Sequence, residues 1–347
     1  MSAPEGKWRT NARRGAPFAT EIVGAGFCYP RDVVDNDEYF ARCRFPITTD
    51  CDALVAETRM KTRRWCLPEE DTWTMTRAAV ANLLERNPGL EREIDVVVVA
   101  SGTTMPIAHP SDRENRAFAD LSPLVLRQLG RDDGLGLDIK ACYCTGFLRG
   151  LQVMDGLLSN PNYRVGLVVA AEQGSRFATA ETNRSSFCFI VSDAAGAVAL
   201  RRVEPRERTG ITDFCGYSDV AKLPWVGIGP DAASIIMMGS RAGEATLEML
   251  RNCARTLLDR NHESASTMDW LLPIQTHAGI IDELVRALGW PEEKVLWSGN
   301  LTGFSGSASI PSCLAQRIHD GTIRKGQSIL SVAVGAGMNC AGALYYS

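Results

Sequence analysis

The sequence has no surplus of positive charge. Its 37 Lys and Arg residues are outnumbered by 41 Asp and Glu residues, which gives a formal net charge of -4. A general nucleic-acid binder needs clustered cations to neutralise phosphates, so this composition excludes that class and predicts no nucleic-acid partner. An anionic ligand would have to be bound by local contacts.

Long apolar runs are also lacking. No stretch approaches the ~20 consecutive apolar residues that span a bilayer, and no apolar signal-peptide core follows the basic start, MSAPEGKWRTNARRG. We therefore expect a cytoplasmic protein without a membrane partner. Residues 1–18 show no periodic pattern, and we expect them to form a flexible N-terminal arm.

The 11 cysteines contain no paired CxxC framework, and their odd number does not suggest a disulfide scaffold. This usage favours reduced thiols, most of them small buried residues, in a reducing compartment. A matching set of metal ligands is absent as well, so no metal site is predicted.

What the sequence does contain is an alternation of strand and helix patterns. Ile94–Ala100 is a continuous β-branched run, typical of a strand covered on both faces in a parallel sheet. Helical spacing occurs at Trp73–Leu84, near Phe118–Leu129, at Thr145–Leu158 and at Ala242–Arg260. The alternation predicts a layered α/β fold with parallel strands.

The pattern begins a second time after the polar connector VEPRERTG. IDVVVVASG in the first part and MDWLLPIQT in the second occupy equivalent places, as do SDAAGAVAL and NCAGALYY. We interpret this as an ancient duplication that gives two similar halves, 19–205 and 206–347, with the candidate nucleophile in the first half.

That candidate is Cys144, in DIKACYCTGF, where a buried strand runs through a turn into a helix. Phe147, Leu151, Met154 and Leu158 lie on one face of this helix, and its first turn is beside Cys144. The positive end of the helix dipole and free backbone N–H groups favour thiolate over thiol, as covalent catalysis requires. The alternative is a buried structural cysteine.

The same segment resembles the nucleophile motif of the thiolase superfamily, in particular of the β-ketoacyl-ACP synthase III family. Further similar segments follow the family's order over residues 20–347: IVGAGFCYP, IDVVVVASGTT, VSDAAGAVAL, DWLLPIQTHAGII and SVAVGAGMNCAGAL. The resemblance implies a thiolase-like α-β-α-β-α fold and a homodimer or heterodimer. It also implies that Cys144 takes an acyl group from a CoA or carrier-protein phosphopantetheine thioester, with no permanently bound cofactor.

Two cysteines compete for that role. This chain has one residue more than the family pattern between Asp138 and the nucleophile, so Cys142 is a rival. Cys144 is preferred because it keeps the family's spacing to Gly146 and Phe147. A metal or redox role for the Cys142–Cys144 pair would need further ligands, and none stands nearby in sequence.

The chain departs from the family where the family uses a histidine and an asparagine to stabilise an enolate. The histidine aligns with Ile274 and the asparagine with Phe304. His277 lies three residues after Ile274, about one helical turn, and could act as a surrogate base or donor. It could equally be a histidine at a helix start with no catalytic role. His109, His262 and His319 are interpreted as surface or loop residues.

Other family contacts are partly kept. The family's oxyanion hole combines the cysteine's own N–H with that of a glycine that corresponds to Gly337, and backbone donors tolerate side-chain change. Arg176 matches a basic residue near the CoA nucleotide, or is simply solvated. The family's tryptophan and arginine clamp falls near Leu54 and Thr58, which favours a carrier-protein donor over free CoA.

Three functions remain open from the sequence. The first is an acyltransferase that loads Cys144 and passes the acyl group to an amine, hydroxyl or carbon nucleophile. The second is a decarboxylative Claisen condensing enzyme with a rebuilt site, and the third is a non-catalytic partner of a heterodimeric condensing enzyme. The long segment MPIAHPSDRENRAFADLSPLVLRQLG is similar in length and place to that of the heterodimeric condensing enzymes of alkylquinolone synthesis, which favours specialised polyketide or fatty-acid-like metabolism.

Overall fold

The structure is a computed structural model. It describes residues 9–10, 17–43, 50–103, 107–108, 117–118, 120–140, 143–178, 186–228, 235–237 and 239–347. Several predicted features lie outside these residues. They are most of the N-terminal arm, the rival Cys142, His109 and most of the long segment that runs from Met105 to the helix before Gly130. Within the predicted arm, Arg9–Thr10 is described as a short strand.

The described residues form strands and helices in an alternating order. The strands are β1 Arg9–Thr10, β2 Ala19–Cys28, β3 Asp32–Asp35, β4 Thr62–Trp65, β5 Ile94–Ala100, β6 Ile107–Ala108, β7 Ala117–Phe118, β8 Leu135–Ile139, β9 Val165–Gln173, β10 Asp193–Val203, β11 Ile211–Ser218, β12 Val226–Ile228, β13 Ile235–Met237, β14 Trp270–Pro273, β15 Ser328–Gly335 and β16 Asn339–Tyr346. The α-helices are α1 Asn36–Arg42, α2 Cys51–Thr58, α3 Thr72–Arg86, α4 Ser122–Leu129, α5 Gly146–Leu157, α6 Ser175–Ala178, α7 Ser186–Ile190, α8 Gly239–Asn261, α9 Ala278–Leu288, α10 Gly299–Thr302 and α11 Ser309–His319. Short 3-10 turns lie at Leu90–Arg92, Tyr143–Thr145, Val220–Trp225, Glu292–Lys294 and Gly306–Ala308.

The first sheet has the order β2-β10-β9-β5-β8. β5 runs parallel to β8 and β9, whereas β10 is antiparallel to both β9 and β2. The prediction of parallel strands is therefore correct only around β5. Its failure at β10 has a physical reason, since a strand that is buried on both faces has the same continuous apolar pattern in either direction.

The second sheet repeats this arrangement, with the order β1-β11-β16-β15-β14. β14 and β15 pair in parallel, as β5 and β9 do, while β16 is antiparallel to β15 and β11, as β10 is to β9 and β2. The equivalences proposed from the sequence therefore match strand for strand. This confirms the prediction of two similar halves, while the exact boundary between 205 and 206 stays a prediction.

Helices fill three layers around the two sheets. α5 and α11 contact both sheets, whereas α3 and α4 cover the outer face of the first sheet, and α8 and α9 lie on the other side of the second. The result is the predicted α-β-α-β-α layering. The apolar periodicity of α5 predicts one buried face, with Phe147 and Leu151. Because α5 lies in the middle layer, Leu148 and Gly150 outside that face are buried as well.

Two departures from the predicted elements are local. The helix predicted near Phe118 begins only at Ser122, because the carboxylate of Asp138 accepts hydrogen bonds from the N–H groups of Leu121 (2.8 Å) and Ser122 (2.9 Å) and fixes the helix start there. Phe118 instead pairs with Ile107 in a two-stranded ribbon. Within the described ranges, no helix has both the length and the apolar content needed to cross a bilayer.

Candidate active site

The candidate nucleophile lies in a tight turn between β8 and α5. Tyr143–Thr145 forms one 3-10 turn, and α5 begins at the next residue, Gly146. Tyr143 has φ +56°, a left-handed conformation that costs a residue with a side chain roughly 1–2 kcal/mol. A Cβ atom on Gly102 would lie 1.9 Å from the Tyr143 ring, so a glycine is required there for the turn to fit.

Cys144 opens into a cavity of about 740 Å³ that both halves enclose. The cavity extends from Cys144 between helices α8 and α9. Its functional lining includes a thiol, a carboxylate, an imidazole and two apolar side chains: Cys144, Glu172, His277, Ile274 and Phe304. The structure therefore brings together four of the side chains selected from the sequence, and adds Glu172.

The Cys144 thiol is harder to ionise than the sequence predicts. Burial and, to a smaller extent, the nearby Glu172 carboxylate raise the pKa of Cys144 to about 12, although a backbone hydrogen bond opposes this shift. The helix start does favour the thiolate, but loss of hydration outweighs it. The raised pKa contradicts the expectation of a thiolate, and ionisation of Cys144 needs a proton acceptor or a change in its surroundings.

Glu172 is the functional residue that the sequence reasoning missed. It ends the apolar run of β9 and is 2% exposed. Its carboxylate accepts hydrogen bonds from the N–H groups of Gly102 and Thr103 (both 2.9 Å) and from the hydroxyls of Thr103 and Ser307 (both 2.5 Å). Burial raises the pKa of Glu172, and the four hydrogen bonds act in the opposite direction. The sequence signal that could have identified Glu172 is its position as a single acidic residue at the carboxyl end of a buried strand.

Ile274 and Phe304 make the wall of the cavity apolar. Both are 4% exposed, and both line the cavity. The Phe304 ring packs edge-on against Phe187, with 5.4 Å between the ring centroids. Neither side chain has an N–H group, so these two positions supply no hydrogen bond to a developing negative charge.

His277 is the N-cap residue of α9 and lines the same cavity. Its Nδ1 is buried, and among the described residues it has no hydrogen-bond partner. Burial lowers the pKa of His277 below its usual 6.5, although the Glu57 and Glu283 carboxylates oppose this shift. The imidazole is therefore neutral at pH 7, and a neutral ring nitrogen can accept a proton.

The predicted role of Gly337 in an oxyanion hole is wrong in this structure. Gly337 has φ +69°, and its N–H donates a hydrogen bond of 2.8 Å to the carbonyl oxygen of Val226, outside the turn between β15 and β16. The residues of this turn region that line the cavity are Gly335, Ala336 and Met338. Ala336 and Met338, the two sequence neighbours of Gly337, both line the cavity.

The predicted nucleotide contacts do not gather at the cavity. Arg176 is exposed on the short helix α6 and is not among the lining residues, while Leu54 and Thr58 are buried in α2. The described lining instead has an acidic rim, with four glutamates and a single arginine: Glu57, Glu244, Glu248, Glu283 and Arg251. A polyphosphate ligand would meet repulsion at this rim.

The two other histidines that the structure describes lie elsewhere. His319 forms a hydrogen bond of 2.8 Å with the carbonyl oxygen of Ala25, and His262 has φ +56° in the turn after α8. Neither lines the cavity. Over the ranges that the structure describes, no cluster of three or more His, Cys, Asp or Glu side chains is arranged to hold a metal ion.

Comparison with known proteins agrees with this architecture. Residues 137–219 match the family model described as 3-oxoacyl-[acyl-carrier-protein] synthase III, and residues 258–346 match its C-terminal model. A structure titled 3-oxoacyl-[acyl-carrier-protein] synthase III from Aquifex aeolicus VF5 superposes with a TM-score of 0.82 at 23% identity, covering 94% of this chain and 100% of the other. The priming β-ketosynthase of the R1128 polyketide pathway superposes with a TM-score of 0.80 at 25% identity, covering 94% and 96%.

A relative named β-ketoacyl-[acyl-carrier-protein] synthase III, from Methylococcus capsulatus, is 30% identical over 331 residues. The matched region covers 94% of this chain and 98% of the relative. Its extent leaves no large part of either protein unmatched. The chain therefore belongs to the β-ketoacyl-[acyl-carrier-protein] synthase III family.

Proposed function

We propose that this protein is an acyltransferase that carries an acyl group on Cys144. The observation that supports it is the shared cavity of about 740 Å³, which both Cys144 and His277 line. A cavity of this volume is within the range that encloses a small-molecule substrate. The donor is a thioester of CoA or of the phosphopantetheine arm of a carrier protein, and the names of the relatives include the acyl carrier protein.

In the first half-reaction, Sγ of Cys144 attacks the carbonyl carbon of the donor thioester. The thiol proton passes to the imidazole of His277, which is neutral at pH 7. Collapse of the tetrahedral intermediate breaks the donor C–S bond, and the leaving thiolate takes the proton back from the imidazolium. The second half-reaction repeats these steps with the acceptor's N–H, O–H or C–H group as nucleophile and Cys144 as leaving group.

We assign the oxyanion hole to the backbone N–H groups of Cys144 and Ala336. Ala336 lines the cavity, whereas the Gly337 N–H is bound to Val226. Backbone donors that are fixed before the reaction can stabilise the tetrahedral intermediate by several kcal/mol, roughly 2.7–4 for one donor. Acyl loading therefore does not need the side chains that Ile274 and Phe304 replace.

Transfer without decarboxylation fits these two apolar positions. Release of carbon dioxide from a malonyl group leaves an enolate, and Ile274 and Phe304 offer it no hydrogen bond. The acidic rim further favours a carrier protein as donor, because its arm bears one phosphodiester, where CoA bears a pyrophosphate and a 3'-phosphate. A specialised polyketide or fatty-acid-like pathway is the setting we propose, in line with the R1128 relative.

The second candidate is a decarboxylative condensing enzyme, which the family relationship and the place of His277 favour. The experiment is incubation with acyl-CoA and acyl-carrier-protein donors, then with malonyl donors and with amine or hydroxyl acceptors. An acyl adduct that passes to the acceptor without carbon dioxide release supports transfer. Carbon dioxide release with a β-keto product indicates condensation, and absence of any adduct overturns both in favour of a non-catalytic partner of a heterodimer.

Cys51 provides the matched control for this experiment. It is an exposed cysteine at the start of α2, outside the cavity lining. Cys144→Ala should abolish the adduct, whereas Cys51→Ala should retain it. Retention of the adduct in both variants would mean that the donor acylates thiols without selection.

A further inference from the structure

Glu172 links two separate segments of the chain. Its Oε1 accepts hydrogen bonds from Gly102 N and Ser307 Oγ, and its Oε2 accepts from Thr103 N and Thr103 Oγ1. Each carboxylate oxygen thus receives two donors. The two backbone N–H groups and the two hydroxyls favour the ionised carboxylate, against the effect of burial in a site that is 2% exposed.

Both linked segments support the turn that presents Cys144. Gly102 lies under the ring of Tyr143, where a Cβ atom would come within 1.9 Å of it. Ser307 lies against Gly146, the first residue of α5, where a Cβ atom would come within 2.9 Å of the Ser307 Cβ. The nucleophile turn is therefore enclosed between two segments that meet at Glu172.

We infer that Glu172 is a positioning residue for Cys144: it fixes the two segments on either side of the nucleophile turn, and its buried negative charge opposes ionisation of the thiol. A thiol held in its neutral form resists alkylation and oxidation until a substrate is bound. The inference concerns the residue that the proposed function uses as acyl carrier, but its test needs no acyl donor.

The other described charges around Cys144 do not provide this effect. β15 and the turn Gly306–Ala308, which pack against the nucleophile turn, contain no titratable side chain. Arg149 of α5 donates to Gln152 and to the Cys340 carbonyl oxygen. The remaining titratable groups in the turn, in the elements packed on it and in the cavity lining are Tyr143, Asp155, Cys340, Tyr345, Tyr346, His277, Glu57, Glu244, Glu248, Arg251 and Glu283, with exposed Lys140 just before the turn.

The experiment measures alkylation of Cys144 by iodoacetamide between pH 7 and pH 10, with the site read by peptide mass. In the wild type we expect the rate to rise about tenfold per pH unit without a plateau, as for a thiol titrating above that range. Glu172→Gln keeps the side-chain size but removes the charge. Its alkylation curve should shift to lower pH by about 1 unit.

Asp193→Asn is the matched control. Asp193 is also fully buried and accepts hydrogen bonds from Ser175 and Cys66, but it is not among the cavity-lining residues. A purely structural role for Glu172 would lower the unfolding temperature of both variants and move neither pH curve. If Glu172→Gln and Asp193→Asn gave the same alkylation curve, the inference would be overturned.

The wild-type curve keeps the test decisive should Glu172→Gln fail to fold. A plateau below pH 9 would show that the thiol ionises easily beside Glu172, and that result would overturn the inference without any variant. Failure of the proposed acyl transfer is distinguishable, because it would appear as absence of an acyl adduct while the alkylation curves stayed as expected.

Discussion

The hydroxyl of Ser307 donates a 2.5 Å hydrogen bond to the carboxylate of Glu172, 135 residues away in the chain. Glu172 ends β9 of the first sheet, whereas Ser307 lies in the turn before α11, in the second half. The same hydroxyl also approaches the carbonyl oxygen of Ala100 at 3.2 Å. The environment of Cys144 is therefore a property of both halves packed together, and neither half alone would form it.

The first prediction concerns the two apolar positions. Ile274→His combined with Phe304→Asn should increase carbon dioxide release from malonyl donors, because both new side chains offer N–H donors to the enolate. The measurement is release of labelled carbon dioxide. We expect a cost in stability of roughly 1–3 kcal/mol for each buried polar group that finds no partner, so unfolding is followed in parallel.

The control for this pair is Ile274→Leu with Phe304→Leu, which perturbs the packing of the same wall but adds no donor. It should leave carbon dioxide release at the wild-type level. If the His and Asn variant released no more than the Leu variant, the wall would have the wrong geometry for decarboxylation.

The second prediction concerns His277. His277→Ala should lower the rate of acyl loading at pH 7 by about 10²-fold or more, the usual loss when a general base is removed. Only the neutral imidazole accepts a proton, and burial lowers the pKa of His277 below 6.5. The wild-type loading rate should therefore hold from pH 8 to about 6.5 and fall at lower pH, as the ring becomes protonated.

His319→Ala is a suitable comparison for this experiment, because His319 contacts Ala25 and does not line the cavity. The fall of the loading rate at low pH should persist in His319→Ala. It should be absent from the residual loading activity of His277→Ala. An unchanged low-pH loss in His277→Ala would assign the titration to another group.

The third prediction separates two neighbouring backbone amides. Ala336→Pro removes the N–H that we assign to the oxyanion hole, so loading should fall by about 10²–10³-fold while the unfolding temperature changes little. Gly337→Ala should lower the unfolding temperature and leave the loading rate unchanged. The φ of +69° costs a residue with a side chain roughly 1–2 kcal/mol, and the new Cβ would lie 3.2 Å from Leu223 Cδ1. If the loading rate per folded molecule fell in Gly337→Ala but not in Ala336→Pro, the Gly337 N–H would be the oxyanion-hole donor instead.

The fourth prediction follows from the acidic rim. Repulsion between the rim glutamates and the phosphates of CoA is screened by salt, because the Debye length falls from about 10 Å at 0.1 M to about 3 Å at 1 M. Loading from acyl-CoA should therefore become faster as salt is added. Loading from an acyl-pantetheine without phosphate should not change, and a decrease with acyl-CoA would mean that cations dominate the entrance.

The sequence predicts the layers of this fold well because the layers follow from local patterns. The buried run at Ile94–Ala100 and the apolar spacing from Phe147 onward depend only on neighbouring residues, and both elements form where expected. The direction of β10 was not predictable in this way. A strand buried on both faces gives no sign of whether its neighbour is parallel or antiparallel.

The sequence motifs predicted which side chains line the candidate site, but not the contacts that distant residues make with it. Cys144, Ile274, His277 and Phe304 meet in one cavity, as their motifs suggest. The hydrogen bond of the Gly337 N–H depends on Val226, which lies far away in sequence, so the motif could not reveal it. Likewise, the ionisation of Cys144 depends on burial and on Glu172, whereas the helix start beside it is the only influence visible locally.

The most direct test is the location of the acyl group after loading. The wild-type protein is incubated with an acyl donor, quenched in acid and digested, and the modified peptide is sequenced by tandem mass spectrometry. We expect the acyl mass on Cys144 and its release by an amine or hydroxyl acceptor. An acyl group found on another residue, or no acyl group from any CoA or carrier-protein donor, would contradict the role of Cys144 as the acyl carrier.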